Sequence, residues 1–248
     1  MLNDLCGKMK RLGYPAFMIV RLRERVNELQ QSNVHGIEAF LRKLSQRIDD
    51  KQDYLDILME GRFAVILAKN GFTDIYLEFS GSGTDMRAVY SVKTVYFEMT
   101  RRRAVQDEWK LAEPDVADFI EPDRTENVIS KIIGKVGQLQ HGETNIVVVW
   151  SDTIGLDVIE MGEAFGYIQQ EIANEPEKYR DLSAVLFTTR GVNMATLKQF
   201  YVFKNNHALK TLSDDLTKKL ESFSERDVEQ LQKEHDDLAK AMKKPHAK

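Results

Sequence analysis

The feature that most constrains the fold is a change of hydrophobic period within residues 56–150. Up to Asn70 the apolar residues recur at helical spacing, whereas over Thr73–Phe79 every second residue is apolar. The first pattern is typical of an α-helix and the second of a half-buried strand. A short apolar run, Ile146–Trp150, follows later and is typical of a strand buried on both faces of a sheet. Together these patterns predict an α/β fold.

Two further segments alternate after the first strand, Asp85–Tyr90 and Lys93–Thr100. The turns between these strands are too short for a crossover, so the strands are expected to be antiparallel neighbours. A helix is predicted over Arg124–Gln140, because Asp123 and Glu126 resemble a capping box at its start. The other predicted elements are helices after Pro15 and at Gly36–Ile48, Lys51–Asn70 and Ile159–Glu171, and strands at Leu182–Thr188 and Gln199–Phe203.

These elements divide the chain into three predicted parts. Residues 1–50 form an N-terminal helical extension, residues 51–212 an α/β domain, and residues 213–248 a charged C-terminal helix. The polar residues 104–123 are predicted to be part helix and part loop. Because the terminal helices have apolar positions to cover, we expect a homodimer formed through them.

The composition excludes several classes of protein. No run of about 18 apolar residues occurs, so neither a membrane span nor a membrane partner is expected. The single cysteine, Cys6, excludes an internal disulfide and a multi-cysteine zinc site, and a cytoplasmic location is the default expectation. The net charge of -4 argues against binding nucleic acid by bulk charge. Phosphate contacts would therefore have to come from local clusters such as Arg101–Arg103.

Three carboxylates occupy positions that the predicted fold could bring together. Asp85 begins one strand, Glu98 ends the next, and Glu60 lies on the preceding helix. Neighbouring strands are about 5 Å apart, so the hairpin would place Asp85 beside Glu98. Converging carboxylate oxygens are ligands that Mg²⁺ prefers, and such an ion can activate water against a phosphodiester. The pattern therefore indicates metal-assisted phosphodiester hydrolysis.

The order of these elements and carboxylates resembles the PD-(D/E)XK nuclease superfamily. The similar stretches are GRFAVILAKNGFTDIYLEF, GTDMRAVY and VYFEMTR, followed by the predicted helix and the strand NIVVVW. The resemblance implies a restriction-endonuclease-like αβββαβ core with a mixed sheet, flanked by N-terminal and C-terminal helices. It also implies a nuclease, with DNA as the expected substrate and with Mg²⁺ or Mn²⁺ held by Glu60, Asp85 and Glu98.

Two positions depart from the motif of that superfamily. Thr84 stands where the motif has proline, and Thr100 stands where it has its lysine. Threonine carries no ammonium group, so another residue must supply the cation. Lys131 and Lys135 are the expected substitutes, because they fall with Gln138 on one face of the predicted helix.

Other cations are less well placed for that role. Lys93 lies at the far end of its strand from Glu98, and Arg101 is expected on the opposite face. Contacts to nucleic acid are expected from Arg101, Arg102 and Gln138. Because Thr100 replaces the lysine, the alternative function is a catalytically inactive nuclease-fold module that binds nucleic acid or protein.

Each of the carboxylates also has an ordinary structural interpretation. Asp85 could be a turn residue, Glu98 could face solvent on an alternating strand, and Glu60 could be a solvated helix residue. A purely structural α/β protein with no nucleic-acid ligand therefore stays open as a third class of function.

Overall fold

The computed structural model describes residues 1–79, 83–102, 125–151, 158–190 and 198–223. Within these ranges the helices are α1 (Leu2–Arg11), α2 (Ala16–Gln31), α3 (Ile37–Arg47), α4 (Lys51–Lys69), α5 (Thr125–Val136), α6 (Val158–Asn174), α7 (Pro176–Tyr179) and α8 (Asp214–Glu221). The strands are β1 (Thr73–Phe79), β2 (Thr84–Tyr90), β3 (Lys93–Arg102), β4 (Thr144–Ser151), β5 (Ala184–Arg190) and β6 (Lys198–Lys204).

The strands form one six-stranded mixed sheet in the order β1-β2-β3-β4-β5-β6. The pairs β1–β2 and β2–β3 are antiparallel, which confirms the prediction for these three strands. The pairs β3–β4 and β4–β5 are parallel, and β6 returns antiparallel to β5. The chain is thus α/β, and α4, β1, β2, β3, α5 and β4 follow one another in the predicted order.

Strand β4 explains the unbroken apolar run in the sequence. Ile146, Val148 and Trp150 pack into a first core on one face of the sheet. Val147 and Val149 pack into a second core on the other face. Both faces of this central strand are covered, so neither set of alternate residues can be polar.

The N-terminal helices are part of the first core. It contains residues of α1–α4, of α8 and of one sheet face, among them Leu5, Leu22, Phe40, Phe63, Leu77, Met86, Phe97 and Leu220. The second core joins α5 and α6 to strands β4 and β5. Helix α1 was not predicted as a separate element, and it buries Leu5, Cys6 and Met9. No helix in the described part of the chain is both long and apolar enough to cross a membrane.

Helix α5 ends earlier than the sequence suggested. The prediction ran to Gln140, but the helix stops at Val136 and a turn follows. The side chain of Asn145 stabilises this turn, because its Oδ1 accepts from the backbone N–H of Gln140 at 2.9 Å. The Nε2 of Gln140 donates to Thr84 Oγ1 at 2.8 Å, which ties the turn to the start of β2.

Some predictions fall outside the described residues. These are the helix and loop over residues 104–123, the cap at Asp123, and the tail beyond residue 223. Of the predicted C-terminal helix, the described part is α8, whose start is capped by the Ser213 side chain.

Helix α3 is held against the sheet by a close backbone approach. His35 pairs with β1 through a hydrogen bond from its N–H to Ile75 O at 2.8 Å and one from Leu77 N–H to its own carbonyl at 3.0 Å. Gly36 follows with φ 79°, and a Cβ built there would lie 2.0 Å from Leu77 O. Only glycine permits this approach, which fixes where α3 begins and therefore where its side chains point.

We expect Gly36→Ala to lower the free energy of unfolding by about 3 kcal/mol, since the substitution adds left-handed strain and a backbone clash. Gly13→Ala is the matched control. Gly13 likewise has a positive φ, of 75°, but a Cβ built there would meet nothing within 4 Å. Urea unfolding measures both variants. A loss for Gly36→Ala no larger than that for Gly13→Ala would contradict the role of this contact.

Candidate active site

Three carboxylates lie in one row across three adjacent strands. The register of the β1–β2 pair places Glu78 opposite Asp85. The register of the β2–β3 pair places Asp85 opposite Glu98. The backbone N–H of Asp85 lies 3.4 Å from Glu98 Oε1. The hairpin thus brings Asp85 and Glu98 together, as the sequence predicted.

Lys135 of α5 joins two of these carboxylates. Its Nζ lies 2.8 Å from Asp85 Oδ2 and 2.9 Å from Glu98 Oε2. The same ammonium donates to Gln138 Oε1 at 3.2 Å, so the exposed Gln138 lies at the margin of the site. Lys131, one turn earlier, instead donates to the backbone oxygen of Arg101 at 3.2 Å. Of the two predicted substitutes, Lys135 is therefore the one in contact with Asp85 and Glu98.

A second lysine approaches Asp85 from the other side. The Nζ of Lys43 on α3 lies 3.0 Å from both carboxylate oxygens of the buried Glu60. It also lies 2.6 Å from Glu78 Oε1 and 3.2 Å from Asp85 Oδ1. Asp85 is thus shared, with one oxygen facing Lys43 and the other facing Lys135.

The four carboxylates and two lysines define the acidic site: Lys43, Glu60, Glu78, Asp85, Glu98 and Lys135. One carboxylate oxygen each from Glu60, Glu78 and Asp85 lies within 4.8 Å of the others. When all six groups are ionised the site carries two net negative charges, because two ammonium groups face four carboxylates. Both this charge and the oxygen donors suit a divalent cation such as Mg²⁺.

Burial and mutual repulsion shape the protonation of this site. Burial and the neighbouring Asp85 raise the pKa of Glu98 to about 7, against the opposing effect of Lys135. Burial and Asp85 likewise raise the pKa of Glu60 well above its ordinary value. Burial also acts to raise the pKa of Asp85, but Lys135 and Lys43 outweigh it and lower that pKa. Asp85 is therefore the most firmly ionised of these three carboxylates.

No protein-family model, curated protein or solved structure matches this chain. A functional interpretation of the acidic site therefore rests on its geometry and charge.

The raised pKa of Glu98 predicts a pH-dependent stability. Its folded pKa is about 7 against an ordinary value of 4.5, so the folded protein binds this proton more tightly than the unfolded chain does. The resulting stability is present below about pH 4.5 and is lost as the pH rises through about 7. Urea unfolding in a metal chelator should show that the free energy of unfolding falls between about pH 5 and about pH 8. In the Glu98→Gln protein this fall should be smaller by about 1–3 kcal/mol. Equal pH dependence in both proteins would contradict the assignment.

Arg101 and Arg102 lie in ion pairs inside the protein. The Arg101 side chain is 0% exposed, and its Nε donates to Asp56 Oδ1 at 2.6 Å. Its Nη2 also donates to the side chain of Gln52. The Arg102 side chain is 1% exposed and lies 3.3 Å from Glu160. Both guanidinium groups thus contact residues of α4 or α6 rather than the surface.

We expect Arg101→Met to lower the free energy of unfolding by about 2–3 kcal/mol, less than for a fully buried pair because Asp56 can still reach water. The exposed Arg42→Met serves as control and should change stability by less than about 0.5 kcal/mol. Thermal unfolding measures the stability of the two variants. An Arg101→Met protein as stable as the control would show that the ion pair does not stabilise the folded protein.

Glu78 and Lys43 were missed by sequence reasoning. Glu78 could have been found by counting the pairing of β1 and β2 outward from their turn, since that register puts it opposite Asp85. Lys43 gave no usable signal. In the sequence, Lys43 has the position of any lysine on the solvent-exposed face of an amphipathic helix. Only the packing of α3 brings it to the acidic site.

Proposed function

We propose that this protein is a metal-dependent nuclease that hydrolyses phosphodiester bonds of nucleic acid, with Mg²⁺ or Mn²⁺ held by Glu60, Asp85 and Glu98. One observation carries the proposal. Carboxylates from a helix and two adjacent strands converge on Asp85, and a lysine ammonium bridges Asp85 and Glu98. This combination of oxygen ligands and a neighbouring cation is what phosphodiester hydrolysis requires.

The donor set fits a hard divalent cation. All candidate ligands are carboxylate oxygens, and those of Glu60, Glu78 and Asp85 lie within 4.8 Å of one another. The two lysine ammonium groups show that the site already attracts positive charge from two sides. When bound, the ion would polarise the phosphodiester and lower the pKa of a bound water.

The residues of the chain have separate tasks in this proposal. Asp85 is the central ligand, since Lys135 and Lys43 hold its pKa below the ordinary value and its two oxygens contact these two lysines. Lys135 Nζ donates to a non-bridging phosphate oxygen and stabilises the negative charge that develops there. Lys43 holds Glu60 and Glu78 against Asp85. Glu98 orients the Lys135 ammonium through its Oε2.

The position of Lys135 also bears on the missing motif lysine. Thr100 cannot supply an ammonium, but Lys135 of α5 supplies one to Asp85 and Glu98. This supports placing the chain with the PD-(D/E)XK nucleases, with a restriction-endonuclease-like core in which the lysine comes from a helix.

A cleavage assay tests the proposed function. Purified protein is incubated with single-stranded and duplex DNA and with RNA, in Mg²⁺, in Mn²⁺ and in a metal chelator. We expect cleavage that requires the metal, with DNA among the substrates. Absence of cleavage of every substrate in both metals would rule the proposal out.

The second candidate is a catalytically inactive nuclease-fold module. Lys43 and Lys135 already form ion pairs with all four carboxylates, an arrangement that could hold the site together without a metal. A module of this kind would have the same unfolding temperature with and without Mn²⁺. A nuclease would be stabilised by Mn²⁺, because a ligand bound only by the folded state raises its stability.

A further inference from the structure

The Lys43 ammonium lies among three carboxylates of the acidic site. Its Nζ is 3.0 Å from Glu60 Oε1, 2.6 Å from Glu78 Oε1 and 3.2 Å from Asp85 Oδ1. One carboxylate oxygen of each of these three residues lies within 4.8 Å of the other two. A divalent cation bound there would contact the same carboxylates at about 2.0–2.6 Å. The ammonium and the ion therefore need the same place, and both cannot be bound there at once.

The cation position on the other side of Asp85 has fewer carboxylates. The Nζ of Lys135 contacts Asp85 Oδ2 and Glu98 Oε2, and it also donates to the uncharged amide oxygen of Gln138. Three carboxylates attract a doubly charged ion more strongly than two, because each carboxylate at contact distance adds its own attraction. The position of the Lys43 ammonium is therefore the more favourable of the two for a divalent cation.

Lys43 has a route out of its position, whereas the carboxylates are held in place. Its side chain is 29% exposed, while the side chains of Glu60 and Asp85 are 7% and 12% exposed. Asp85 is also fixed by the backbone N–H of Met99, which donates to its Oδ2 at 2.9 Å. Because a lysine ammonium is carried on a flexible four-carbon stem, it can turn into water without movement of α3.

We infer that the divalent cation takes the position of the Lys43 ammonium, so that Glu78 joins its ligands and Lys43 is displaced into solvent. Lys135 stays on Asp85 and Glu98. This inference rests on the proposed function and deepens it by assigning the ion to one side of Asp85. In the metal-free protein Lys43 is then an internal counter-ion, which keeps the carboxylates together and with which the metal must compete.

Acetylation of lysines by an amine-reactive reagent, located by mass spectrometry, tests this exchange in the unaltered protein. In a metal chelator we expect Lys43 and Lys135 to react slowly, because an ammonium held by carboxylates does not offer its lone pair. Saturation with Mn²⁺ should raise the reaction rate of Lys43 at least about 10-fold, since a released state populated below about 10% becomes the main one. Lys135 should stay slow, and the exposed Lys10 is the control whose rate should not change.

Calorimetric titration of Lys43→Met with Mn²⁺ is the second measurement. This variant has no ammonium to displace, so it should bind Mn²⁺ at least about 10-fold more tightly than the unaltered protein. Arg42→Met is the matched control, because it removes one positive charge from the neighbouring, exposed position on α3. It should change the affinity by less than about 3-fold, as expected of an exposed charge. Urea unfolding in the chelator shows whether both variants are folded.

The outcomes separate this inference from the proposed function. Faster acetylation of Lys43 in Mn²⁺, together with tighter Mn²⁺ binding by Lys43→Met, supports the inference; if that variant does not fold, the acetylation rates decide. Mn²⁺ binding by Lys43→Met alone also supports it, because the ammonium then blocks the site in the unaltered protein, and in that case the proposed function fails.

Other results overturn the inference. Mn²⁺ binding that leaves Lys43 slow to react, or that releases Lys135 instead, overturns it while the proposed function stands. Equal Mn²⁺ affinities of the unaltered protein and Lys43→Met have the same meaning. Absence of saturable Mn²⁺ binding by either protein overturns both the inference and the proposed function.

Discussion

Replacing Asp85 by asparagine is expected to lower metal-dependent cleavage about 100- to 1,000-fold, a loss of the size seen when one electrostatic group is removed from an active site. One oxygen of Asp85 faces Lys43 and the other faces Lys135. The substitution keeps the size of the side chain but removes the negative charge that faces both lysines. Initial rates of DNA cleavage in Mg²⁺ measure the effect.

The controls for this prediction separate chemistry from folding. Glu126→Gln removes an exposed carboxylate on α5 and should leave the rate unchanged. Circular dichroism should show that the Asp85→Asn protein is folded. If a folded Asp85→Asn protein keeps its rate within a few-fold of the unaltered protein, Asp85 is not the central ligand.

Replacing Lys135 by methionine is expected to lower the cleavage rate about 100-fold while leaving Mn²⁺ binding intact or tighter. The rate falls because the ammonium that would stabilise charge on the phosphate is gone. Metal binding persists because Asp85 keeps Lys43 beside it, which also lowers its pKa, and loses a competing cation. Single-turnover cleavage and Mn²⁺ titration measure the two effects separately.

Lys131→Met is the matched control for Lys135→Met. It lies on the same face of α5, but its Nζ donates to a backbone oxygen rather than to the carboxylates. We expect it to change the rate by less than about 3-fold, which corresponds to a change in activation free energy below about 1 kcal/mol. A large loss for Lys131→Met together with a small loss for Lys135→Met would reverse the assignment of the cation.

Local patterns were enough to predict the elements around the acidic site. Ile146–Trp150 was correctly predicted to be a buried strand, because both of its faces are covered. The approach of Asp85 to Glu98 followed from a short turn between alternating strands, which leaves little choice of register. In both cases the deciding interactions lie between residues close in sequence or within one strand.

The cations could not be assigned from sequence because they depend on how distant elements pack. Lys131 and Lys135 share a helix face, and only the packing of α5 on the sheet distinguishes them. Lys43 reaches the acidic site because Gly36 lets α3 begin against β1. Arg101 belongs to a run of charge that is typical of a solvated surface, yet β3 continues beneath α4, where Asp56 binds it.

Calorimetric titration with Mn²⁺ at about pH 7.5, where the firmly ionised Asp85 carries its charge, tests the central claim most directly. The account predicts saturable Mn²⁺ binding by the unaltered protein, and loss of that binding in Asp85→Asn but not in Glu126→Gln. The same heats for the unaltered protein and Asp85→Asn, or no saturable binding by either, would contradict a metal site at these carboxylates.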